Sequence, residues 1–136
     1  MKSSQKYLLR KLIGSSYPSR KKQKKECDLL WAKLIKLRAK GRCEYCGGEG
    51  KNAHHIYSRN RASTRHDPAN GIFLCPLHHT LGVWSFHKNP IESVEWLKKK
   101  KGEKWYQMLR IRAEQIYKPD YNLIKLDLLQ ELKKHE

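Results

Sequence analysis

Apolar residues fall along this chain in short runs whose spacing changes, and the changes mark the elements. From Glu26 to Lys40, Leu30, Trp31, Leu34, Ile35 and Leu37 recur every three or four residues, which predicts a helix closed by Gly41. Residues 53–57, Ala-His-His-Ile-Tyr, predict a short strand, and Ile72-Phe73-Leu74 form a second apolar piece leading into Cys75. Pro76 suits a first helical turn, so a helix is expected from Pro76 to Phe86. Further helices are expected over Ile91–Lys100, over Glu103–Ile116, and over Leu123–Lys134 with Asn122 as cap. Residues 1–25 carry too little apolar material for a packed element. They read as a flexible basic arm broken at Tyr17-Pro18, with at most one amphipathic turn around Leu8, Leu9, Leu12 and Ile13.

The 136 residues are enough for one domain. They divide into the arm (1–25), a central domain with its preceding helix (26–90), and a C-terminal helical extension packed on the core (91–136). Charge says what such a chain meets. Thirty Lys and Arg against thirteen Asp and Glu leave a formal charge of +17, too lopsided for a typical small-molecule enzyme and suited to a polyanion. The excess is densest at the start, where residues 1–25 hold nine basic side chains and no acid. Arg10 and Lys11 interrupt the only apolar run near the start, so no signal peptide is expected. The stretch from Pro68 to His87 lacks Lys, Arg, Asp and Glu but contains three histidines, an Asn and two prolines, so no membrane span is expected either. A cytoplasmic setting follows, in which disulfides among Cys27, Cys43, Cys46 and Cys75 are not expected.

Three of those cysteines have a more specific reading. Cys43-x2-Cys46 and Cys75-x2-His78 are two pairs at the spacing that lets side chains converge on one tetrahedral zinc, a Cys3His structural site. Cys27, inside the first predicted helix, reads as a core residue. The 28 residues between the two pairs exceed what a knuckle needs, so the loop should carry something else. It carries His54-His55 and Asn70, and His79 directly follows the presumed zinc ligand. Neighbouring helical residues point about 100° apart, which leaves His79 for a second ion. Neighbouring strand residues face opposite ways, so one of His54 and His55 can share that ion while the other approaches from elsewhere.

Cys43-x2-Cys46, Ala53-His54-His55-Ile56, Asn70 and Cys75-x2-His78-His79, in that order, resemble the HNH endonuclease family over about residues 42–90. The Trp84-x2-His87-x-Asn89-Pro90 segment and the helical tail also resemble phage-encoded, NinG-like HNH proteins, which would place the chain in a bacterial host cell. The resemblance implies an α+β fold: a small ββα-metal core stapled by the Cys3His zinc site and flanked by an N-terminal helix and C-terminal helices. It implies His55 as the general base, Asn70 as the asparagine that orients the base or the metal loop, and His54 and His79 as ligands of a catalytic divalent ion. Many members have Asp where His54 stands. An imidazole there favours Mn2+, Co2+, Ni2+ or Zn2+ over Mg2+.

His87 is a further candidate ligand. It lies eight residues beyond His79, about 12 Å along an unbroken helix, and reaches the same ion only if the helix stops near Gly82. Arg59, Arg61 and Arg65 are candidate DNA phosphate contacts, His66 reads as solvated or phosphate-contacting, and Trp84, Trp96 and Trp105 read as core anchors. The function these features imply is hydrolysis of DNA phosphodiester bonds, in double-stranded or branched DNA. The alternatives are a non-catalytic zinc-knuckle module that binds nucleic acid, and an RNA-binding or ribosome-associated zinc protein.

Overall fold

The computed structural model describes residues 3–13 and 18–136. In chain order these form α1 (Ser3–Ile13), α2 (Arg20–Arg38), β1 (Asn52–His55), a 3-10 turn (Pro68–Asn70), β2 (Gly71–Leu74), a π-helical turn (Leu77–Leu81), α3 (Pro90–Lys101), α4 (Glu103–Ala113) and α5 (Tyr121–Lys133). None of the described helices is long and apolar enough to cross a membrane.

Two stretches read as arm are helical. The segment expected to hold one amphipathic turn forms three turns of α1, and Tyr7, Leu8 and Leu12 on it are exposed. Residues 20–25 belong to α2, because the Ser19 side chain accepts from Lys22 N–H as an N-cap and the Lys, Gln and Glu that follow are good helix formers without an apolar stripe. Tyr17, one half of the Tyr17-Pro18 break, lies outside the described residues. At its other end α2 stops as expected: Lys40 and Gly41 take positive φ (55° and 72°), and Gly41 N–H returns to the Lys36 carbonyl.

β1 and β2 pair antiparallel, with Asn52 opposite Leu74, Ala53 opposite Phe73, His54 opposite Ile72 and His55 opposite Gly71. Directly opposed residues share a face, and this register decides what each histidine meets. Phe73 joins Cys27, Trp31, Leu34 and Ile35 of α2 and Tyr121, Leu128 and Leu132 of α5 in one buried cluster. Ile72 and Leu74 join Cys43, Cys75, Phe86 and Leu97 in another, against which Trp96 and Trp105 pack. Every residue of β2 is buried. His55 therefore looks toward α2, and His54 toward the knuckle and α3.

Gly71 is the point of closest approach. A Cβ there would stand 2.4 Å from Ile35 Cδ1 and 2.7 Å from the rigid Trp31 ring. Gly71→Ala is expected to push α2 off the sheet and cost about 1–3 kcal/mol of stability. Equilibrium urea unfolding measures it, and a variant within about 0.5 kcal/mol of the parent would contradict this packing.

Three expectations about helices need correction. The helix expected over Pro76–Phe86 ends at Leu81 with Gly82 N–H bonded to the Leu77 carbonyl at 2.8 Å, a π-type closure. Gly82 closes against that carbonyl, where a Cβ would meet the oxygen at 2.6 Å. The cap of α5 is Asp120, whose carboxylate accepts from Asn122 and Leu123 N–H, and not Asn122. Trp84 is not a core anchor; it is 72% exposed.

Candidate metal centres and the histidine cleft

The knuckle is built from tight turns. Gly47, at φ 76°, donates to the Cys43 carbonyl, and Cys43 N–H donates to the Gly48 carbonyl, both at 2.8 Å. Glu44 docks this turn on β2: its N–H donates to the Phe73 carbonyl and its carboxylate accepts from Phe73 N–H. Cys43, Cys46, Cys75 and His78 then form a Cys3His cluster compatible with a zinc site. Cys46 and Cys75 sulfurs are 3.9 Å apart, and His78 Nδ1 is 3.2 Å from Cys75 Sγ and 3.9 Å from Cys43 Sγ. Tetrahedral edges built on ordinary zinc bond lengths are about 3.8 Å for S···S and about 3.5 Å for S···N, so these donors fit zinc. Burial pushes the Cys43 thiol up, but backbone N–H donors of Cys75, Cys46 and Tyr45 outweigh it and bring it below the usual thiol value, toward the thiolate a metal needs.

The second cluster depends on the reversal at Gly82. Past it the chain folds back, so that Phe86 N–H donates to the His78 carbonyl and His87 N–H to the His79 carbonyl. Asn89 Nδ2 holds the loop closed through the Val83 and Ser85 carbonyls. His87 Nε2 comes to 3.1 Å from His79 Nε2, and the ligand atoms of His54, His79 and His87 all lie within 4.8 Å of one another. Two nitrogens bound to one ion at about 2.1 Å stand about 3.0–3.4 Å apart in octahedral to tetrahedral geometry, so the pair fits a shared ion. Burial, then His87 and His79, push the His54 pKa down to about 3, and burial with His87 lowers His79. Both rings are neutral at pH 7, the state in which imidazole binds a metal.

Across the strand, His55 is held differently. Its Nε2 lies 2.9 Å from the Arg65 carbonyl, and its ring stacks on Trp31 with centroids 3.9 Å apart and planes 10° off parallel. A carbonyl only accepts, so Nε2 carries the proton and Nδ1 keeps a lone pair. Burial lowers the pKa of this imidazole despite that hydrogen bond, so the lone pair is available at neutral pH. His54, His55, His79, His87 and Arg59 line one open cavity of about 510 Å³.

The Asn70 side chain directs its hydrogen bonds to backbone groups and not to His55. Fully buried, it accepts from Tyr57 N–H (2.7 Å) and donates to the carbonyls of Tyr57 (3.0 Å) and Thr64 (2.9 Å), pinning the loop that carries Arg65. The three arginines separate. Arg59 is exposed on the cavity wall. Arg61 donates to the Ala113 carbonyl. Arg65, expected at a phosphate, is buried and paired with Asp28, because that carboxylate on α2 meets its guanidinium side-on. His66 is likewise buried on Asp28 (2.7 Å), not solvated. Asp28, Trp31 and Arg38, all outside the motif, are the contacts that the sequence reading missed. The signal for them was Asp28, one of two acids, with Glu26, in a basic helix and at helical spacing from Trp31.

Fold and site together define a small α+β protein in which a Cys3His cluster braces a three-histidine cluster through one short turn. Residues 40–81 match the model of the HNH endonuclease family. The matched segment holds the Cys3His cluster, His54, His55, Asn70 and His79, but not α2, His87 or the segment on which the phage-type resemblance rests. No curated protein and no solved structure matches the chain.

Proposed function

We propose that this protein is a metal-dependent endonuclease that hydrolyses DNA phosphodiester bonds. The observation that carries the reading is the convergence of the ligand atoms of His54, His79 and His87, with His55 lining the same open cavity. His54, His79 and His87 would hold a divalent ion, whose chemistry would be positive charge against the scissile phosphate and the departing oxygen. His55 Nδ1 accepts the proton of the attacking water, while the Arg65 carbonyl keeps Nε2–H in place. Arg59, at the cavity rim, contacts a flanking phosphate. Three imidazoles and no carboxylate favour Mn2+, Co2+, Ni2+ or Zn2+ over Mg2+. Cys43, Cys46, Cys75 and His78 hold zinc as a brace for the turn that carries His79. With +17 overall and α1 and the start of α2 rich in Lys and Arg, the N-terminal residues add sequence-independent, salt-sensitive DNA affinity. The phage-type setting in a bacterial cytoplasm belongs to the same reading.

Metal stoichiometry tests the second site. The zinc-loaded protein is expected to take up one further Mn2+ or Co2+ by calorimetry, and His87→Ala to weaken that uptake at least tenfold while keeping its zinc. Equal affinity in the variant would remove His87 from the site.

A further inference from the structure

We propose that α2 belongs to the catalytic apparatus, with Asp28 and Trp31 as positioning residues for His55. This rests on the reading of His55 as the base. A four-residue strand in a two-stranded sheet fixes the backbone of His55 but leaves its ring two side-chain torsions. Two contacts fix the ring: the Arg65 carbonyl on Nε2 and the Trp31 indole against its face.

Both contacts are set from α2. The Arg65 carbonyl sits in an irregular loop, and its position follows from the same residue's side chain, which is locked from two directions. Nε and Nη2 donate to the two Asp28 oxygens at 2.8 Å each, and Nη1 donates to the Arg59 carbonyl at 3.1 Å. Asp28 thus reaches His55 through a single residue. Trp31 is fixed in turn by its Nε1–H on the Asp67 carbonyl at 2.9 Å. Residues 28, 31, 35 and 38 lie on one helical face, and each meets the segment 65–71. Asp28 holds Arg65 and His66, Trp31 holds Asp67, Ile35 lies against Gly71, and Arg38 donates to the carbonyls of Pro68 (2.6 Å) and Gly71 (2.8 Å). One helix face therefore clamps the last part of the return from the base to β2, residues 65–71, although α2 lies before the family-matched segment.

The test reads His55 directly, by 15N–1H NMR of its imidazole in the intact zinc-loaded chain, alongside kcat and KM on DNA. In the parent a single Nε2–H tautomer is expected. Asp28→Asn is expected to mix the tautomers and lower kcat about tenfold to a hundredfold, with KM and DNA affinity within about twofold. Trp31→Phe, which keeps a stacked ring, is expected to retain most of kcat, whereas Trp31→Leu loses it. Should Asp28→Asn not fold, Arg65→Lys keeps the charge, removes the side-on pair and is read in the same way. An unchanged tautomer and kcat in a folded Asp28→Asn or Arg65→Lys would overturn the clamp and leave the nuclease reading standing. Because the imidazole signal needs no substrate, a chain that cuts nothing still tests the clamp: mixed tautomers in the variants support it, and a single tautomer overturns it.

Discussion

His55→Ala is expected to lose about 10²–10⁴-fold in the rate of DNA cleavage, the range a positioned proton acceptor contributes, with zinc content and DNA affinity unchanged. His55 lines the cavity shared with His54, His79 and His87, and its ring is held by the Arg65 carbonyl on Nε2 and by the stacked Trp31 indole. Removing the ring also leaves a buried carbonyl without its donor and an indole face uncovered, at a cost of about 1–3 kcal/mol in stability. His55→Asn separates the two effects, since its amide offers a donor but no basic nitrogen. It is expected to be as inactive as His55→Ala and more stable. Single-turnover cleavage with thermal unfolding of both variants checks this; a cleavage rate within about threefold of the parent would remove His55 as the base.

The second large effect is on the fold. Cys43→Ser is expected to release zinc and abolish the protein's cooperative unfolding. Structural zinc contributes on the order of 10–16 kcal/mol in small knuckles, more than a chain of this size has to spare. Cys43 is 1% exposed and packs with Ile72, Leu74 and Phe86, so a metal held by the Cys3His cluster would tie β2 to the turn bearing His79. Strong chelators are expected to act likewise, and zinc to restore the transition. Metal analysis with circular dichroism measures both. A variant that melts like the parent without zinc would show that the brace is dispensable.

How much of this was legible depended on sequence distance. The Cys3His cluster could be read because each pair is local: a two-residue gap within a turn brings both donors together whatever the rest of the chain does. The opposite facings of His54 and His55 followed from strand geometry alone. His87 was different. Its approach to His79 depends on closure at Gly82, where the backbone bonds to the Leu77 carbonyl, and periodicity over Pro76–Phe86 does not distinguish that closure from a continuing helix. Arg65 read as a phosphate contact and His66 as solvated or phosphate-contacting because their partner, Asp28, lies 37 and 38 residues away. Trp31 read as one more apolar helix position, and nothing local says that its face meets an imidazole. α1 and the first turns of α2 were hidden for another reason. At the start of α2, Lys and Gln form a helix well without an apolar stripe, and in α1 the few apolar residues, Leu8, Leu9, Leu12 and Ile13, read as a single turn, so charge suggested an arm.

The most direct test of the central claim is cleavage of supercoiled plasmid by the intact, zinc-loaded protein across Mg2+, Mn2+, Co2+, Ni2+ and Zn2+, with a chelator control that spares the knuckle. The expected result is relaxed or linear DNA with the imidazole-preferring ions, much less with Mg2+, and none when the second ion is withheld. Intact plasmid with every ion, from a folded protein that still binds DNA, would contradict the account and leave a nucleic-acid-binding module with an idle histidine cleft.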